Sequence, residues 1–62
     1  MLWDNIQGRL DKKGWSLSRL AKETGLPYGT LANYKFRGFD PSFTNVCKIA
    51  DALEVGLDDL RG

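Results

Sequence analysis

WSLSRLAKETGLPYGTLANYKFRG, residues 15–38, places two short helical patterns on either side of Thr24-Gly25-Leu26. Ser16 is suited to cap the first, because its hydroxyl can accept a backbone N–H that the opening turn leaves unpaired. Trp15 before it and Leu20 after it stand at the spacing of a hydrophobic staple. Leu17, Leu20, Ala21 and Thr24 fall on one stripe. Gly25 then stands where a helix leaves through a left-handed residue, a conformation open to glycine at little cost. Pro27 presets its own dihedral and lacks the N–H that a first turn would leave unpaired, so it suits the start of the next helix, which runs to about Phe36. Two helices joined by a sharp turn make a helix-turn-helix.

The flanks repeat the helical period. Leu2, Trp3, Ile6 and Leu10 predict a first helix ending at Lys13-Gly14. Lys12 and Lys13 fall in its last turn, where compensation of the helix dipole is a sufficient role for them. After the motif, Gly38-Phe39-Asp40-Pro41 forms a turn cluster, and Ser42 can cap a fourth helix with Val46, Cys47, Ile49, Ala50 and Leu53 as its apolar stripe. Gly56 separates it from a short LDDL segment whose Asp58 and Asp59 suit a first helical turn. No run alternates as a strand would. The expectation is one all-α domain over residues 1–62, a compact five-helix bundle.

Composition narrows the function. The chain has 62 residues, 42% hydrophobic and 27% charged, with a net charge of +1. Those proportions fit an ordinary globular domain, and a chain this short leaves no room for a large catalytic cleft. It has no histidine and one cysteine. Cys47 can therefore neither close an internal disulfide nor find partners to hold a metal, and a buried core position is expected for it. Without a nucleophile-and-base pair, converging acids or a glycine-rich phosphate loop, no enzyme, cofactor or small-molecule substrate is expected. No apolar run approaches bilayer length and no secretion signal opens the chain, so a cytoplasmic location is expected, away from membranes. The charge is segregated: seven cations against three acids up to Arg37 give +4, and two against five from Gly38 onward give −3. A bipolar domain follows, with the ordinary scatter of a solvated surface as the alternative.

With LAKETGLPYGTL and PSFTNVCKIADALEVGLDDL both in view, nearly the whole chain resembles the Cro and repressor-like (XRE-type, lambda repressor-like) helix-turn-helix family. The resemblance implies a repressor-like transcription regulator that binds a double-stranded DNA operator as a homodimer, with its third helix in the major groove. Carried over residue by residue, the base-contacting positions are Tyr28, Gly29, Thr30 and Asn33. Asn33 suits that role chemically, since a carboxamide can donate to and accept from adenine together. Tyr28 offers a hydroxyl or a ring for a thymine methyl. Gly29 is either a point of close backbone approach or silent, and the silent reading is preferred. The phosphate-contacting positions are Ser16, Ser18, Arg19, Lys35 and Arg37, although dipole compensation competes for the last two. Leu31 and Tyr34 belong to the core.

Departures from the family pattern carry their own expectations. Leu17 stands where a phosphate-binding glutamine is common, and Leu10 and Lys35 replace a pair of opposite charges. The segment after Asn33 is one residue longer than usual, which leaves the aim of Arg37 open. Glu54 and Gly56 take positions that usually hold a glycine or asparagine stop and a polar cap, so a shifted helix end is expected there. Phe39, Phe43, Val55, Leu57 and Leu60 are the candidates for a dimer interface, with ordinary core or scattered exposed apolar surface as the equal alternative for each. The competing reading is a protein-interaction or antitoxin-like module that uses the same fold without reading DNA, which the modest net charge keeps open.

Overall fold

A computed structural model describes residues 2–61; Met1, Gly62 and the Arg61 side chain, one of the two cations counted in the acidic half, lie outside the described part. Five helices follow in order: α1 Leu2–Lys13, α2 Leu17–Thr24, α3 Tyr28–Phe36, α4 Phe43–Leu53 and α5 Leu57–Arg61. There is no strand among the described residues. The expected all-α bundle is therefore the fold.

Each boundary has a local cause. Helix α1 ends at Gly14, where the Trp15 N–H reaches back to the Leu10 carbonyl at 3.0 Å. Ser16 caps α2 by accepting the Arg19 N–H at 3.1 Å. The same helix leaves through Gly25 at φ 75°, whose N–H donates to the Ala21 carbonyl. Thr24 braces that corner: its hydroxyl donates to the Leu20 carbonyl at 2.8 Å and accepts the Leu26 N–H at 3.2 Å. Pro27 is the N-cap of α3, just outside the first turn, and its carbonyl accepts from Thr30 and Leu31. Ser42 caps α4 through the Asn45 N–H at 3.2 Å.

One continuous core joins all five helices. Ile6 and Leu10 come from α1, Leu20 from α2, Leu26 from the turn, Leu31 and Tyr34 from α3, Ile49, Ala50 and Leu53 from α4, and Leu60 from α5. No polar or charged residue among those described is buried with them. Non-directional burial is thus the main adhesive, as a small domain requires. Helix α2 packs on α3 and α4, while α5 lies chiefly on α1 and α4. The Asn5 side chain fixes α5 further by donating to the Leu60 carbonyl at 2.7 Å.

Two expectations need correction, and one open alternative closes. Leu60 is fully buried, so it supports the core and is not available to a dimer interface; Val55 and Leu57 pack partly against that core as well. The five residues of α5 bury one leucine while leaving Asp58 and Asp59 in solvent. Cys47 is half-buried and not a core residue, because Ile49, Ala50 and Leu53 fill the inner face of α4. The helix end at Glu54 is not shifted: Glu54 itself adopts the left-handed cap at φ 59°, its N–H donating to the Ala50 and Asp51 carbonyls. Gly56 likewise leaves α5 with a cap, supplied from the other side when its N–H donates to the Asp59 carboxylate at 3.0 Å.

Candidate DNA-recognition face

Helix α3 has a buried side and an exposed side, set by the corner that precedes it. Leu31 and Tyr34 point inward. The Tyr34 hydroxyl accepts a hydrogen bond from the Asn45 side chain at 2.8 Å, so its polar end is satisfied within the protein. This confirms the expectation that both residues serve packing. With these two inward, Gly29, Ala32, Asn33 and Phe36 share the opposite face at spacings of three, four and seven residues.

The four expected base-reading positions are not equivalent. Tyr28, in the first turn of α3, is 51% exposed, and its hydroxyl has no hydrogen-bond partner among the described residues. Gly29 is exposed, with no atom within 4 Å of where a Cβ would stand. Asn33 is half-buried, and its carboxamide makes no hydrogen bond within the described part. A side-chain amide with both functions uncommitted is chemically ready for an external donor-acceptor pair. Thr30 is half-buried at the margin between the inner and outer faces. Gly29 and Asn33 therefore share the outer face of α3, with Tyr28 exposed in its first turn and Thr30 half-buried.

The expected phosphate-contacting groups stand at the start of α2 and at the end of α3. Ser18 is exposed, and Ser16 keeps its hydroxyl proton available while its oxygen caps α2. Arg19 is already engaged: its Nε donates to the Glu23 Oε2 at 2.7 Å, and its guanidinium lies 4.8 Å from the Trp15 ring centroid. Only one of the five N–H donors of the guanidinium is used by that carboxylate, so the others remain free to turn outward. An exposed pair of this kind contributes little stability and can yield to a stronger anion. Lys13 holds its ammonium 5.2 Å from the same Trp15 ring. The indole thus gathers two cations beside the capped end of α2. The sequence alone assigns Trp15 only a staple's role, since the Lys13-Trp15-Arg19 spacing permits this gathering without choosing it.

Lys35 and Arg37 are both exposed. Helix α3 leaves through a wide exit. Arg37 and Phe39 both donate their N–H groups to the Asn33 carbonyl, at 3.0 and 3.3 Å, around Gly38 at φ 71°. The helix end is therefore anchored on the residue whose side chain faces outward. No Asp or Glu among the described residues forms an ion pair with Lys22, Lys35 or Arg37.

A helix-turn-helix with a capped supporting helix, an exposed second helix and uncommitted cations around it is a DNA-binding regulatory domain. The helix-turn-helix family model matches residues 6–60, and the chain belongs to that family, in its Cro and repressor (XRE) type. No curated protein and no solved structure matches the chain. No helix among the described residues is long and apolar enough to cross a membrane.

Proposed function

We propose that this chain is a sequence-specific, repressor-type transcription regulator that works in the cytoplasm as a homodimer on a two-fold operator. Helix α3 enters the major groove, where Asn33 hydrogen-bonds an adenine and Tyr28 meets the neighbouring base edge. Thr30 contacts the duplex from the margin, and Gly29, without a side chain, adds nothing to the readout. Ser16, Ser18, Arg19, Lys35 and Arg37 hold the phosphates and fix the register without selecting sequence. The observation that carries this reading is the uncommitted Asn33 carboxamide on the outer face of α3.

The dimer contact is assigned to the surface around Phe43, which is 73% exposed. Beside Phe43 lies an apolar groove of about 320 Å³ lined by Leu2, Pro41, Val46 and Leu57. Two such domains would present their α3 helices to half-sites one helical turn apart, roughly 34 Å.

Selection of bound sites from a random duplex library tests the proposal. A symmetric enriched motif whose affinity falls steeply with salt supports it, since phosphate neutralisation releases counterions. No enrichment at low salt would instead favour the module that binds proteins through its apolar surface.

A further inference from the structure

Phe36 ends α3 on the same outward stripe as Gly29, Ala32 and Asn33, and it is 70% exposed. It belongs neither to the buried core nor to the partly buried apolar residues packed on it. Its ring is approached by the Lys35 ammonium at 5.3 Å, and Arg37 follows it in sequence. A large apolar ring is thus exposed with one cation beside it in space and another next to it in sequence, on the helix face proposed above to read DNA.

That setting selects the kind of group the ring can meet. A partner with an apolar face gains nothing from the flanking charges, whereas a phosphate backbone draws both cations and carries the ring into the groove. A phenyl ring has no hydrogen bond to offer. Along the floor of the major groove the one apolar group on the base edges is the 5-methyl of thymine. Gly29 and Ala32 add almost no bulk to the stripe, so Asn33 and Phe36 are the side chains that stand out from it. They are three residues apart, about 4.5 Å along the helix axis. Base pairs are spaced by about 3.4 Å.

We propose that Phe36 is a second sequence-reading side chain of α3, packing its ring on a thymine 5-methyl group one or two base pairs from the pair that Asn33 reads. This rests on the DNA-reading function proposed above and adds to it a specific base and atom group.

The test uses the full chain and the duplex it selects from a random library, with each thymine replaced in turn by deoxyuridine, which removes only the methyl. The pair read by Asn33 is located in parallel as the position where Asn33→Ala loses preference. Wild type should lose about fourfold in affinity at one thymine next to that pair, the worth of one methyl-sized apolar group taken from water. Phe36→Ala should bind the thymine duplex at least that much more weakly and be indifferent to deoxyuridine at that position. Phe36→Leu should recover part of the methyl dependence, and both variants should melt as wild type does, because the ring supports no core contact. A Phe36→Ala protein with unchanged affinity and the wild-type response to deoxyuridine would overturn the proposal. So would a wild type that responds to no methyl, or a Phe36→Ala protein that weakens equally on every sequence while losing its oligomeric state. Those results leave sequence reading by Asn33 intact. A wild type that enriches no site would remove the parent reading and this one together.

Discussion

Helices α2 and α3 are joined by a single corner, yet they are built on opposite plans. Helix α2 is strongly amphipathic and capped at both ends, by the Ser16 hydroxyl and by left-handed Gly25. Helix α3 has little amphipathic contrast, begins at Pro27 with no side-chain cap, and ends in a wide turn on the Asn33 carbonyl. The first helix satisfies its own ends and faces. The second borrows stability from Leu31 and Tyr34 against the core, which leaves its outer face free to carry Tyr28, Asn33 and Phe36 without a structural duty. Where a surface helix shows apolar and amide groups instead of a solvating charged face, stability alone does not explain their presence.

The contrast can be broken at its root. Leu31→Ala should cost about 2–5 kcal/mol, the range for a buried leucine in a core with little room to relax. Because Leu31 is fully buried, α3 should lose its seating, and denaturant unfolding should show a large fall in midpoint. If the loss is under 1 kcal/mol, α3 is not held as described.

A smaller effect is expected at the corner. Gly25→Ala meets no atom within 4 Å, so its whole penalty is the left-handed backbone at φ 75°; this should destabilise the domain by roughly 1–2 kcal/mol. A larger loss would mean that the corner strains more than one residue.

Ser16→Ala removes the hydroxyl that accepts the Arg19 N–H, which should cost about 1 kcal/mol in thermal or chemical unfolding. Ser16→Gly should recover most of it, since glycine is nearly as good at that position. The comparable change at the start of α3, Pro27→Ser, has an unused cap site to fill and should be neutral or stabilising.

Glu23→Gln sharpens the comparison most gently. Its carboxylate holds Arg19 at 2.7 Å on an exposed surface, so stability should change by no more than about 0.5 kcal/mol. DNA affinity should rise at low salt, because Arg19 is released and one negative charge leaves the phosphate-facing side. Weaker binding would mean that Glu23 is needed to aim the guanidinium.

How much of this was legible in the sequence follows the same division. The caps at Ser16, Gly25 and Ser42 could be read directly because each has a residue type with a specific backbone preference. The inner side of α3 was legible from the three-residue spacing of Leu31 and Tyr34. Glu54 was not, since a glutamate gives no sign that it will adopt a left-handed cap, a conformation usually left to glycine or asparagine. Leu60 stayed open between core and interface because five residues hold too little of a helical period to separate an inner from an outer leucine. The pairing of Arg19 with Glu23, and the gathering of Lys13 and Arg19 on Trp15, depend on rotamers that spacing permits but does not choose.

The most direct test of α3 as the reading helix compares Asn33→Ala with Lys35→Ala over a panel of duplexes carrying every single base change in the selected site, at several salt concentrations. Asn33→Ala should fold as wild type and lose about 1–3 kcal/mol of discrimination at one base pair. Lys35→Ala should weaken all duplexes alike and lower the salt slope by about one. Equal losses on every sequence from both variants, with no base pair singled out by Asn33, would contradict the account.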